Sequence, residues 1–252
     1  MLKTRAIPCL LLRNQGLVKT VKFANPTYLG DPVNIVRIFN EKEANELVLL
    51  DIMATKEQRG PNFELLADIA GEAFVPLAYG GGVRTIDAAG RLFTLGFEKV
   101  LINTYAAENP SFIHSAASRF GSQSIVVSID ARKSLLGGYE VYTHGGAERT
   151  RLDPVAFARE MEQMGAGEIM ITSVDRDGTM QGYDLELIRN VTSAVAIPVI
   201  ACGGAGRLAH FGEGVQAGAS AVAAGSLFVF QGRHRAVLIS FPTSEELNGV
   251  FV

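Results

Sequence analysis

One stretch of this chain is written twice. Residues 75–82 (VPLAYGGG) return as residues 197–204 (IPVIACGG), and a constant offset of 122 positions carries Glu46 onto Glu168, Glu64 onto Glu186, Gly96 onto Gly218 and Thr104 onto Ser226 without a gap. A fold that accommodates this repeat must have two equal halves. Each copy alternates short runs rich in Val, Ile and Leu with segments of helical spacing, the pattern of βα units on a parallel sheet. Eight such runs fall near 6–12, 46–53, 75–79, 99–103, 124–130, 168–174, 197–202 and 221–224, four per half. Eight strands in 252 residues match the roughly 250 residues of a (β/α)₈ TIM barrel, whose loops after the strands build the active site. Such a barrel would be one domain, with half-barrels at about 1–120 and 121–252. A doubly wound open sheet, the alternative, requires a switch point and does not produce equal halves.

Composition narrows the class. With 48% hydrophobic residues and a net charge of −3, the chain has the profile of a compact soluble protein and lacks the basic surface that nucleic acid requires. Lys3 and Arg5 ahead of the apolar run 6–12 look like a leader. That run is closed by Arg13 with no small-residue cleavage site, so it reads as the first strand. No apolar run approaches the ~18 residues of a membrane span, and a cytoplasmic location is expected. Cys9 and Cys202 are too few for a disulfide framework and lack metal spacing, so neither a metal nor another cofactor is expected.

The repeat also duplicates a phosphate signal. Gly80–Gly82 and Gly203–Gly206 each follow a strand, where glycine lets backbone amides approach an anion closely. Asn103 and Thr104 in one half, and Gly225 and Ser226 in the other, can complete each cradle with amides and a hydroxyl. Glycines also make ordinary tight βα turns; the duplication with flanking residues in register favours the cradle. Two cradles imply a substrate with a phosphate at each end. Asp130 ends the run 124–130, where a barrel places its catalytic groups. Asp175, Asp177 and Gly178 form a second polar loop on the same face, after strand six.

Together, IPCL at 7–10, GGG at 80–82, INT at 102–104, FGSQ at 120–123, GAGEI at 165–169, SVDRDGT at 173–179, GYD at 182–184 and GGAG at 203–206 resemble the cyclase subunit of imidazole glycerol phosphate synthase. The likeness runs from about Arg5 to Phe230. It implies a duplicated (β/α)₈ barrel that forms a heterodimer with a separate glutaminase subunit. Ammonia from that partner would pass through the barrel to a bis-phosphorylated ribosyl substrate in histidine biosynthesis. Carried over by position, Asp130 matches one of two acid/base aspartates, and Lys19 a lysine in a long first βα loop, 12–32, that closes over substrate. Gly81, Gly82, Asn103, Thr104, Asp177, Gly178, Gly203, Gly204, Gly225 and Ser226 fall within the phosphate-binding set, and the two glycine cradles match its two phosphate sites. Arg5, Glu46, Lys99 and Glu168 match an ammonia gate at the opposite mouth, and Glu98 and Gln123 match partner contacts.

Alternation supports that gate independently. Glu46 shares parity with Val48 and Leu50, Lys99 with Leu101 and Asn103, and Glu168 with Met170 and Thr172. Two charges of each sign at a narrow mouth should pair, beneath an apolar lining that suits neutral ammonia better than ammonium. Barrel interiors are apolar in any case, so the lining alone does not argue for a conduit.

The departure is at position 11. The family ends strand one with aspartate, whereas this chain reads Leu11, which the internal alignment sets opposite Asp130. An isobutyl group moves no protons, and loss of a positioned acid or base costs about 10²–10⁴-fold in rate. Arg13 stays protonated and cannot act as a base. The tail 231–242 departs too, and with Leu11 it is similar to relatives associated with amidation of surface-polysaccharide sugars, in which barrel and glutaminase supply a distinct sugar amidotransferase. The alternatives are a true cyclase with an altered site and a scaffold that only activates the glutaminase. The sibling two-phosphate isomerase would need neither the charged gate nor the motif at 120–123.

Overall fold

The computed structural model describes residues 4–134 and 137–251. Eight parallel strands close on themselves: β1 Arg5–Arg13, β2 Leu47–Asp51, β3 Leu77–Gly80, β4 Lys99–Ile102, β5 Ile125–Lys133, β6 Glu168–Ser173, β7 Val199–Cys202 and β8 Ala221–Ala224. The ring is sealed between β8 and β1, with Arg5 opposite Ala221, and between β5 and β6, with Asp130 opposite Thr172. Helices alternate with the strands around the outside, so this is the expected (β/α)₈ barrel.

The repeat is visible in how helices begin. Asp31 and Asp153, 122 positions apart, cap Pro32–Glu41 and Pro154–Gln163 by accepting from Asn34 and Ala156 amides, and each helix has proline in its first turn. Asn62 and Asp184 cap Phe63–Glu72 and Leu185–Thr192 at the same offset. Equivalent caps thus start helices at equivalent positions of the two halves of the sequence.

Strand alternation sorts side chains into two layers. One face of the strands packs against the helices in the large outer core, with Leu10, Leu49, Tyr79, Val127 and Ile171 buried there. The other fills the barrel with Ile7, Cys9, Leu11, Val48, Ala78, Leu101, Val126, Met170 and Ile200. Burying each large aliphatic chain contributes about 1.5–3 kcal/mol relative to exposure.

Two connections differ from the sequence expectation. The first βα segment is an antiparallel hairpin, Gly16–Val21 with Ala24–Gly30, and the former continues β1 through the pair Leu11 and Val18. β5 likewise continues into Tyr139–Thr143. Turn residues at 14–15 and 22–23 disguise strands whose alternation is half polar, because the outer strand 24–30 lies on the surface.

Candidate active site

Leu11, Asp130, Lys19 and both glycine clusters line a single pocket above the strand ends. Asp130 is 8% exposed. Asn103 Nδ2 donates to its Oδ2 at 3.2 Å and to the carbonyl of Ser128 at 2.8 Å, which fixes the carboxylate over the barrel. Burial, and then the negative charge of Asp177, raise its pKa to about 7, while the Asn103 hydrogen bond and Arg132 pull the other way. A carboxyl balanced near neutrality can both give and take a proton. β5 runs on to Lys133, so Asp130 caps no helix.

Leu11, 9% exposed, belongs to the barrel's interior apolar cluster and faces the same pocket. No hydrogen-bonding group replaces the missing carboxylate in that side chain. Cys9 and Cys202 are neighbours at the pocket floor. The hydrogen bond with Cys202, together with burial, raises the Cys9 pKa, which keeps the thiol protonated.

The first hairpin is docked over this pocket. Lys19 Nζ donates to Asp177 Oδ1 at 2.8 Å and to the carbonyl of Thr20 at 2.9 Å, Thr20 Oγ1 donates to Asp177 Oδ2 at 3.2 Å, and the Lys22 amide reaches the Asp177 carbonyl at 2.9 Å. The carboxylate of Asp177 is therefore directed at Lys19 and Thr20, and its own amide donates to Ser173 and Val174 carbonyls. Gly178 is pressed on the hairpin backbone, with its carbonyl held by Arg235 at 2.7 Å. These two residues stand at the site as a clamp on the hairpin. The Asp177 side chain offers an anion only like charge.

The glycine clusters make the same two approaches in each half. A Cβ on Gly81 or Gly203 would strike the carbonyl of Asp51 or Ser173, both at 2.7 Å; one on Gly82 or Gly204 would strike that of Arg59 at 2.3 Å or Gly182 at 2.1 Å. The short helices Thr104–Glu108 and Ser226–Val229 start beside them without a side-chain cap; the Ala106 and Phe228 amides close the first turns onto Asn103 and Gly225 carbonyls, and the amides ahead of them face no side-chain cap. Their hydroxyls differ. Thr104 Oγ1 donates to Asn103 Oδ1 and accepts from the His144 amide at 3.0 Å. Ser226 Oγ is buried in the pocket wall with no protein partner.

Asp51 was not singled out in the sequence. It ends β2, is 7% exposed, accepts from the Met53 and Ala54 amides at 3.0 and 3.1 Å, and pairs with Arg59 at 2.8 Å. The signal available was the one used for Asp130, a carboxylate at a strand's C-terminal end.

At the opposite mouth Arg5, Glu46, Lys99 and Glu168 form a closed ring of alternating charge. Arg5 reaches both glutamates; Lys99 Nζ lies 3.2 Å from Glu46 and 2.8 Å from Glu168. Burial opposes the Arg5 charge, but Glu168 and Glu46 outweigh it and raise its pKa. The glutamates are nearly buried and the cations partly open, so the ring presents its positive members outward. Lys99 and Glu168 open β4 and β6, and Glu46 immediately precedes β2. Glu98 and Gln123, both exposed, flank the same mouth from the starts of β4 and β5. No helix among the described residues is long and apolar enough to cross a membrane, and no metal-binding cluster occurs among them.

The histidine biosynthesis protein family matches residues 5–235. The chain is 52% identical to a Pseudomonas aeruginosa protein provisionally named imidazole glycerol phosphate synthase subunit hisF2, over 98% of this chain and 99% of that one. It is 46% identical over the full length of both chains to a similarly named HisF subunit of Leptospira interrogans. To a Vibrio vulnificus protein named hisF3 it is 45% identical, over 98% of this chain and 95% of the other. On fold, site layout and these matches, the chain belongs to the histidine biosynthesis protein family, among its imidazole glycerol phosphate synthase HisF subunits.

Proposed function

We propose that this chain is the barrel subunit of a glutamine amidotransferase complex that receives ammonia from a separate glutaminase and passes it to a sugar amidotransferase of surface-polysaccharide synthesis. The observation that carries this reading is Leu11. The residue facing the pocket from β1, opposite Asp130 in the repeat, is an aliphatic chain packed into the interior cluster. Imidazole ring closure after ammonia addition needs protons moved on two faces of the reacting centre, and one carboxyl with its pKa near 7 serves one of them. Three features support the handling of ammonia. The charged ring can admit it at one mouth, the interior offers no charged partner to hold ammonium, and the pocket opens at the far end. Partner docking falls to the ring face, where Glu98 and Gln123 lie.

A second reading, the working cyclase of histidine biosynthesis, draws support from Ser226. A buried hydroxyl with no protein partner beside Gly203, Gly204 and Gly225 suits one phosphate of a bis-phosphorylated ribosyl substrate. The deciding experiment is turnover of that substrate with ammonium salt by the unaltered protein, Leu11→Asp and Asp130→Asn. Activity that appears only in Leu11→Asp supports ammonia supply to another acceptor. Robust activity in the unaltered protein, lost in Asp130→Asn, makes it a cyclase. Glutaminase stimulation by bound ligand without product in any variant would favour the activating scaffold.

A further inference from the structure

The two half-barrels build the same turn on the charged-ring face and finish it differently. In the second half Glu162, at the end of helix Pro154–Gln163, accepts from the Ala196 and Ile197 amides at 2.8 and 3.1 Å. In the first half Asn40, near the end of helix Pro32–Glu41, accepts from the Phe74 amide at 3.1 Å and donates to the Glu72 carbonyl. Asn40 and Glu162, like Phe74 and Ala196, are related by the 122-residue offset. The clamp is therefore part of the duplicated fold, and alanine is enough to complete it.

Phe74 puts a benzyl group there instead, 89% exposed, the most exposed large apolar side chain among the described residues. Single exposed apolar residues are ordinary on protein surfaces. Here Asn40 pins the backbone amide that carries the benzyl group, so a partner that docks on it has only the side chain's own rotamers to order. Phe74 lies in the turn that leads into β3, on the same face of the barrel as the ring. Pro76, two residues on, accepts at 2.9 Å from the amide of Leu47, whose neighbour is Glu46.

We propose that Phe74 is the apolar anchor on which the glutaminase subunit seats, off-centre, over the first half-barrel's side of the ring. The proposal rests on the reading that this face takes a glutaminase. A second copy of the chain is the poorer occupant, because it would close two mouths against each other and leave neither open to an ammonia source. Aromatic side chains of this kind dominate binding where they fill a partner's pocket.

The test is calorimetric titration of the full-length chain with each purified glutaminase subunit of the source genome, using the unaltered protein, Phe74→Ala and Leu152→Ala. Leu152 is a 37% exposed residue that precedes helix Pro154–Gln163, away from the ring. Phe74→Ala should bind about 10–100-fold more weakly, with its unfolding midpoint unchanged, and Leu152→Ala should bind normally. Equal affinities for the unaltered protein and Phe74→Ala overturn the anchor and leave the glutaminase reading standing. No binding by the unaltered protein to any glutaminase overturns both. A dimer of the unaltered protein in light scattering that Phe74→Ala dissolves gives the face to a second copy and also overturns the proposal.

Discussion

Asp130→Asn should stabilise this protein, and by an amount that grows with pH. The Asp130 pKa rises from 3.8 to about 7 in the fold. Below about pH 4 the carboxyl is protonated both folded and unfolded, and its contribution is fully present. As pH rises through the folded value, the unfolded chain has already lost this proton while the native state still holds it, so stability falls across the window from about 4 to 7. About three units at 1.36 kcal/mol each set a ceiling on the order of 4 kcal/mol, and water entering the pocket brings the expected loss to about 2–4 kcal/mol. Asparagine never ionises and can still accept from Asn103. Urea unfolding of both proteins between about pH 4 and pH 9 should therefore give a stability difference that favours Asp130→Asn and climbs with pH, levelling above about 8. Other carboxylates titrate in both proteins and cancel in that difference. A difference constant across the range would refute the argument that the fold raises the Asp130 pKa toward neutrality.

Lys99→Met leaves Glu46 and Glu168 facing Arg5 alone. Because Lys99 is partly open, the cost should be about 2 kcal/mol, below the 3–5 typical of a fully buried pair that loses one partner, and denaturant unfolding would read it. Ser226→Ala removes a hydroxyl that no protein group uses. The thermal midpoint should hold or rise slightly, while affinity for a phosphorylated ligand falls about 10-fold in titration calorimetry, in line with one hydrogen bond to a charged group. Gly204→Ala sets a Cβ 2.1 Å from the Gly182 carbonyl at φ +118 and should cost about 2–4 kcal/mol. Gly71→Ala, in helix Phe63–Glu72 with nothing within 4 Å, should gain about 0.5–1 kcal/mol; thermal unfolding of the pair separates crowding from glycine loss in general.

Much of this architecture is legible in the sequence because barrel strands are short, apolar and regularly spaced, and because duplication lets each half check the other. Ala221–Ala224 could be bounded to the residue; Leu47–Asp51 is shorter than expected because Met53 and Ala54 amides turn onto Asp51 instead of continuing the ladder. Three of the four ring residues, Glu46, Lys99 and Glu168, were visible through parity, which survives small errors in strand ends; Arg5 came from the family resemblance. The hairpin over the pocket was not. Its strands and turn carry Lys19, Thr20, Lys22 and Asn25, and what holds it down is a contact with Asp177, 158 residues from Lys19, that no local pattern encodes. The same distance effect hid the orientation of Asp177, whose neighbours in sequence suggest a ligand loop and whose partner in space is a lysine.

Where the halves differ tells more about function than where they agree. Caps, glycine turns and helix-to-strand clamps recur at the 122-residue offset because the barrel needs them twice. Thr104 is bonded by the His144 amide while Ser226 is free, Asp130 faces Leu11, and Phe74 stands where its counterpart is Ala196. None of these differences is required for folding, since the opposite half folds with the other residue. On the function proposed above, each lies where a ligand or partner would tell one half from the other: beside the second glycine cluster, at the end of β1 and on the face of the charged ring. If Leu11 were only a tolerated core substitution, Leu11→Asp should cost stability and return no chemistry. A gain of ring-closing turnover in that variant would show that the rest of the site still works, and that this one side chain separates supplying ammonia from using it.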